Sequence, residues 1–379
     1  LYRFYQTDKG EDNMKSFFRQ LNLKGHLLTA ISYLIPVVCG AGFMIAIGMA
    51  FGGDSSADLT KTGYSFWDVL ATLGGAGLGM LPVVIATGIA YSIADKPGIA
   101  PGLVIGLTAN AVGSGFIGGL IGGFLAGYLV VLIIKYIKMP NWAKGLMPML
   151  VIPFIASLIG GLIMVYVIGA PITQFTHLLT EYLQSLSGTS KLIYGIIIGV
   201  LASVDYGGPI NKTVFAFVLT LQAQGIHEPI TALIVVNTAT PIGFALAYWV
   251  GRLLRKNIYK KVEVETLKTA FPMGIIEIVE GVLPIVLNDI IRCVIATGIG
   301  GAVGGAISMV MNADSKVPFG GMLAIPTMSQ PMGFVIAIVA NVIVTAVVLV
   351  ILKKPVNESE EMVDEIEEDD IDLGDLKVY

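Results

Sequence analysis

The chain has 379 residues, 55% of them hydrophobic and 13% charged, with 46 glycines and a formal net charge of −4. A soluble globular domain carries about 25% charged residues, so this composition excludes an ordinary soluble fold and calls for close-packed membrane helices. Cys39 and Cys293, both in apolar stretches, supply neither a disulfide framework nor a metal cluster.

Residues 1–23 are polar and charged, and are expected as a cytoplasmic segment or the end of a linker, with no cleavable leader. A membrane transport domain is expected over 24–355. Its apolar segments fall at 27–52, 66–94, 99–113, 115–134, 146–170, 190–202, 213–224, 229–251, 290–311 and 331–352, many of them near the roughly 20 residues that cross a bilayer as a helix. Residues 356–379 are expected as a disordered cytoplasmic tail, since eleven acidic side chains crowd between Glu358 and Asp375. A solvated tail is favoured there over a partner-docking one. With Lys377 the tail's only base, the rest of the chain carries +6.

Bases mark the sides of the membrane. Lys15, Arg19 and Lys24 precede the first segment, and Lys135, Lys138 and Lys144 follow the fourth. Arg252, Arg255, Lys256, Lys260 and Lys261 follow the eighth, and Lys353 and Lys354 the last. The positive-inside rule places all four clusters in the cytoplasm. The connection with Asp54, Asp58 and Asp68 then lies outside. So does 171–189, read as a short amphipathic helix through Phe175, Leu178, Leu179, Tyr182 and Leu183. Parity allows eight or ten spans, and ten is preferred. The short segments 190–202 and 213–224 are where the count is most open.

Gly115, Gly119, Gly123 and Gly127 repeat every four residues, as do the pairs Gly300/Gly304 and Gly301/Gly305. Small residues at that spacing let helix backbones approach closely, and internal packing is favoured over a dimer seam. No internal sequence repeat is visible.

Polar residues inside apolar sequence carry the chemistry. Ala202 to Phe217 interrupts its surroundings with Asp205, a Gly207-Gly208-Pro209 break, Asn211 and Lys212. Hydrocarbon tolerates such backbone only where protein or a water-filled cavity shelters it, so a polar intramembrane chamber is expected. Gly274 to Arg292 is too interrupted for a clean span and is read as a re-entrant hairpin. Glu277 and Glu280 share a helix face there. Glu280, ahead of Gly281 and Pro284, is favoured as a substrate contact, and Glu277 as structural. The alternative for both is ion pairing with Arg292 or Lys212. Asp95-Lys96-Pro97-Gly98 reads as a structural break between two spans. His177 and His227 are assigned nothing. With no Walker loop, zinc spacing, serine elbow or nucleotide fold, no cofactor and no metal is expected. Tyr206, Asn211 and Asn288 suit a polyhydroxylated ligand better than a bare ion.

At these stretches the chain resembles enzyme IIC, the membrane component of the bacterial sugar phosphotransferase system (PTS), fructose family. Four motifs carry the resemblance, in family order over about 24–354: His26-Leu-Leu-Thr-Ala-Ile-Ser-Tyr-Leu-Ile-Pro36, Tyr91-Ser-Ile-Ala-Asp-Lys-Pro-Gly-Ile-Ala-Pro-Gly102, Val204-Asp-Tyr-Gly-Gly-Pro-Ile-Asn-Lys212, and Glu280-Gly-Val-Leu-Pro284 with Asn288, Asp289 and Arg292. The resemblance implies an all-α polytopic homodimer of about ten spans, with both termini cytoplasmic, in the bacterial inner membrane. It would move a sugar inward while phosphorylating it from a phosphocysteine of enzyme IIB (EIIB), here a separate chain or a part not present. Glu280 and Asp205 become the catalytic candidates, Asn211 and Asn288 hydroxyl contacts, and Lys212 or Arg292 the charge compensation. His26 is a substrate-binding candidate, set against a plain interfacial histidine. The expected partners are sugar, EIIB, membrane lipid and a second copy, and no nucleic acid. The family signature Gly-Ile-Thr-Glu-Gly becomes Glu277-Ile278-Val279-Glu280-Gly281, so substrate choice is open. Fructose is the default, with mannosylglycerate or a hexitol next. An ion-coupled secondary transporter, or a channel-like protein, is the competing class.

Overall fold

The computed structural model describes residues 21–185 and 188–356, and every regular element among them is helical. Hydrocarbon offers backbone groups no partner, and a helix satisfies them all within one segment. In chain order the helices are α1 (Leu23–Ala50), α2 (Phe66–Gly79), α3 (Leu81–Ala94), α4 (Ile99–Ala111), α5 (Gly115–Tyr136), α6 (Ile152–Ile163) and α7 (Gly169–Gln184). There follow α8 (Gly188–Ser203), α9 (Pro209–Gln222), α10 (Glu228–Leu253), α11 (Lys261–Ile275), α12 (Leu283–Asn288), α13 (Ile290–Val310) and α14 (Pro331–Leu352). π-turns at Met147–Val151 and Met164–Ile168 flank α6. The acidic tail from Glu358 and the first 20 residues lie outside the described residues.

By length and composition six helical stretches among the described residues can cross a bilayer, and seven if α2 and α3, bent by 45°, count as one. The other expected segments fold as α4, α8 and α9, of 13, 16 and 14 residues. At 1.5 Å per residue each reaches only about 20–24 Å, short of a 30 Å hydrocarbon core. The segment near 171–189 is helical as α7, with Phe175 and Leu178 exposed.

The chain divides into two compact units: residues up to Val37 with Met80–Thr176, and Val38–Gly79 with residues from His177 on. In the first unit, the glycine ladder of α5 seats on α3. A Cβ at Gly119 would strike Pro82 O, and one at Gly123 would lie 2.8 Å from Ala86 Cα. One at Gly127 would lie 2.8 Å from Ile93 Cβ. Internal packing is therefore what these glycines serve. The break between α3 and α4 is a single 3-10 turn, Lys96–Gly98, entered through Asp95 at φ 55°.

In the second unit, Gly195 and Gly199 of α8 meet Gly305 and Gly301 of α13 backbone to backbone, while Gly300 and Gly304 face Thr345 and Asn341 of α14. Lipid tails are as apolar as the side chains, so such close contact, not a hydrophobic driving force, holds the helices. α10 is the most enclosed helix of this unit, with 89% of its apolar window buried. The expected bounds 274–292 shift. Residues 276–288 form the turn and second arm of a hairpin whose first arm is α11, which lies mostly before them. From Ile290 the chain is already α13. Asn288 Nδ2 donates to Glu263 Oε1 at 3.1 Å near the start of α11, so the chain has folded back along that helix. The turn between the arms falls at Ile276–Glu280.

Candidate functional site

The first wall of the site is the loop between α8 and α9. Pro209 opens α9, so the first free backbone donors are Ile210 and Asn211. The Asp205 carboxylate takes both: Oδ2 accepts from Ile210 N at 2.5 Å and Oδ1 from Asn211 N at 2.9 Å. An anion on a helix N-terminus also meets the positive end of its dipole. To reach there, the loop passes through Tyr206 at φ 49° and Gly207 at φ 86°. The Tyr206 strain is compensated by burial and by a 3.0 Å hydroxyl bond to Thr297 Oγ1. Thr297 Oγ1 in turn donates to Cys293 O, also at 3.0 Å. Asn211 closes the loop from behind, its amide donating to Ala202 O at 2.6 Å and to Asn237 Oδ1 of α10 at 2.9 Å.

The second wall is the hairpin tip. Glu277 is 2% exposed and sits at φ 72°. Its Oε2 accepts from Gly320 N at 2.9 Å and Gly321 N at 3.3 Å, and the Asn237 side chain also bears on the carboxylate. A side chain at Gly321, φ 56°, would drive into Ile275 O, so only glycine lets that backbone close on Glu277. Glu280 is different. Its side chain is exposed and lies against the opposite wall: a Cβ at Gly207 would strike Glu280 Oε1 and stand 2.8 Å from its Cδ. The two breaks therefore converge through Gly207 and Glu280.

The other candidates lie elsewhere or act indirectly. Lys212 follows on α9, its N–H bonded to Gly208 O at 2.9 Å. Asn288, on Glu263, is at the opposite end of the hairpin from Glu280. Arg292 pairs with Asp289 at 2.9 Å, one turn away on its own helix. His26, in the first unit, bonds through Nδ1 to Ser92 Oγ at 2.8 Å. Among the described residues, no three His, Cys, Asp or Glu side chains gather to hold a metal ion.

Sequence reasoning missed three supports. Asn237 is a lone amide in the 26-residue helix α10, and that isolation was the available signal. Gly320 and Gly321 gave only a glycine pair between apolar runs. Lys353 reads as a solvated base, yet it is 5% exposed, with Nζ 3.6 Å from buried Glu263 and 4.5 Å over the Tyr259 ring. Removing one member of such a buried pair costs about 3–5 kcal/mol.

Fold and site together define a polytopic helical membrane protein with broken helices gathered around an accessible carboxylate. The family described as "Phosphotransferase system, EIIC" matches residues 28–298. The chain is 43% identical over 334 residues to the PTS system fructose-specific EIIB'BC component of Xanthomonas campestris, covering 87% of this chain and 57% of that protein. It is 32% identical over 359 residues to the fructose-like permease IIC component 2 of Escherichia coli, covering 93% and 96%. It thus spans just over half the length of the Xanthomonas relative. Among solved structures it is similar to ChbC, the IIC component of the N,N'-diacetylchitobiose-specific phosphotransferase system, with a TM-score of 0.58 at 16% identity over 93% of this chain and 98% of that one. That likeness is one of fold. The chain belongs to the EIIC family of the phosphotransferase system.

Proposed function

We propose that this chain carries fructose or a fructose-like sugar across the membrane and presents it for phosphorylation by a phosphocysteine of EIIB. Its relatives are fructose-specific or fructose-like components, which supports the sugar class, and EIIB is fused to the membrane part in several of them. The observation that carries the reading is the exposed Glu280 carboxylate at the junction of two broken helices. There it accepts hydrogen bonds from sugar hydroxyls and takes the proton from the attacking one. The hydroxyl oxygen bonds to phosphorus as the sulfur–phosphorus bond breaks and the cysteine leaves as thiolate. The product, a sugar phosphate dianion, fits a carboxylate-lined site worse and cannot recross the bilayer.

In this reading Asp205 and Asn211 are positioning residues that fix the loop facing Glu280, and Lys212 balances charge. Asn288, Arg292 and His26 keep the local partners described above. Ten spans result if the bilayer thins locally around the short helices α4, α8 and α9 and lets them cross beside the seven longer stretches. With the basic clusters read by the positive-inside rule, the proposal has both termini cytoplasmic, the chain in a bacterial inner membrane, and a homodimer as the working unit. Vesicles given phosphorylated EIIB and labelled fructose test the proposal: the label is expected inside as sugar phosphate without an ion gradient. Label arriving as free sugar, or uptake that needs a gradient, hands the chain to the ion-coupled class.

A further inference from the structure

The C-terminal end of α10 borders two hollows that share a wall. One is a cleft of about 770 Å³ lined by Arg252, Arg255, Lys256 and Lys261, with Glu265 as its one carboxylate. The other is a mainly apolar groove of about 630 Å³ lined by Ala245, Leu246, Trp249, Leu267 and Phe271, with Lys268 its one base. Tyr248 and Val264 line both, so the hollows adjoin.

Each part is fixed. Lys256 donates to Val350 O at 2.5 Å and Ile351 O at 3.3 Å, tying the cleft floor to the end of α14. Arg252 lies over the Tyr248 ring at 5.7 Å and donates to its hydroxyl at 3.3 Å. A guanidinium has five N–H donors, so most of Arg252 remains to meet an anion. Glu265 is neutralised by Lys268 at 2.5 Å. Aromatic residues followed by bases mark headgroup depth at the end of a span. Tyr248, Trp249 and Arg252 follow that order, which puts the cleft at headgroup level and the groove at the level of the tails.

We propose that cleft and groove form one site for an anionic diacyl phospholipid, its phosphate among the arginines and an acyl chain along Trp249 and Phe271. Inorganic phosphate would use the cleft alone. The chain's acidic segment, 358–375, matches the cleft in charge, and Val356, the last described residue before it, donates its N–H to Asn257 O on the cleft wall. It gives no reason for the groove. Only an amphiphile explains both, and basic pockets between membrane helices are known to hold such headgroups. The site is independent of which sugar is carried.

Intact-protein mass spectrometry of the full chain during stepwise delipidation tests this. Phosphatidylglycerol is expected to stay bound after phosphatidylcholine is stripped, and inorganic phosphate is expected not to displace it. The Arg252→Gln/Arg255→Gln variant should bind it about 30-fold more weakly, at about 1 kcal/mol per base. Ala245→Phe, which fills the groove and keeps every base, should lose it too, and Arg252→Lys/Arg255→Lys should keep it. Equal retention of both lipids, displacement by phosphate, or full retention in Ala245→Phe would each overturn the proposal. So would binding that emerges only once the acidic residues of 358–375 are neutralised, which would assign the cleft to that segment.

Discussion

Two helix breaks in this chain use nearly the same vocabulary, aspartate followed by glycine and proline, and end in different chemistry. At Asp95-Lys96-Pro97-Gly98 the backbone closes on itself: a Cβ at Gly98 would strike Ala90 O, four residues into the preceding helix from its end. The atoms nearest that Cβ all belong to Ala90 and Ala94 of the same helix. At Asp205–Pro209 the aspartate caps the next helix, and the space over Gly207 is taken by Glu280, which lies 73 positions further along the sequence. A break filled by its own helix is a joint, whereas a break filled by a remote carboxylate is a place where chemistry can be done. The glycine is needed in both, but for different neighbours.

The largest effect separating them is expected from Glu280→Gln. It keeps shape and removes the proton acceptor, so EIIB-dependent sugar phosphorylation should fall by about 10²–10⁴, the usual worth of a general base. Thermal stability should hold, since the side chain is exposed. Phosphorylation within tenfold of wild type would take Glu280 out of the reaction.

Gly207→Ala and Gly98→Ala then sharpen the contrast, because each adds one methyl group. At Gly207 the methyl displaces Glu280 on a backbone at φ 86°, and a misplacement near 1 Å costs about 100-fold in rate. Stability should drop by only about 1–2 kcal/mol, the cost of a Cβ on left-handed backbone. At Gly98 the obstacle is main-chain oxygen that cannot rotate away. That variant should lose about 1–3 kcal/mol of stability and keep its activity per folded molecule. If both variants lost activity and stability in the same proportion, the two breaks would be alike after all.

Much of this was legible in the residues. The apolar segments at 27–52, 66–94, 115–134, 229–251, 290–311 and 331–352 match helices to within a few residues, because their composition leaves the backbone no other solution. The two breaks were equally plain, since glycine, proline and charge have few uses in hydrocarbon. What was hidden is pairing. That Glu280 would meet Gly207 while its neighbour Glu277 turned to Gly320 and Gly321 depends on the turn at Ile276–Glu280, which no periodicity encodes. Asn288 and Arg292 read as site residues because they are polar in an apolar run, yet Glu263 and Asp289 had prior claims on them. α11 escaped notice because its charged face, Lys261 to Lys268, resembles a loop.

The smallest effect concerns what an aspartate on backbone donors is worth, and an exposed copy of the Asp205 arrangement measures it. In the connection after α1, Asp54 Oδ1 accepts from Ser56 Oγ at 2.7 Å and Ser56 N at 2.9 Å. These bonds favour the ionised form and hold the Asp54 carboxyl below the ordinary aspartate range, the hydroxyl contributing most. The sign follows from linkage: a depressed folded-state value gives order that is complete above the unfolded value and lost as pH falls through the folded one. Titrated by carboxyl NMR, Asp54 should therefore protonate at lower pH than a free aspartate. Ser56→Ala removes the hydroxyl and keeps the N–H, so the midpoint should rise only part of the way back. An unmoved midpoint would mean that the backbone donor alone sets it.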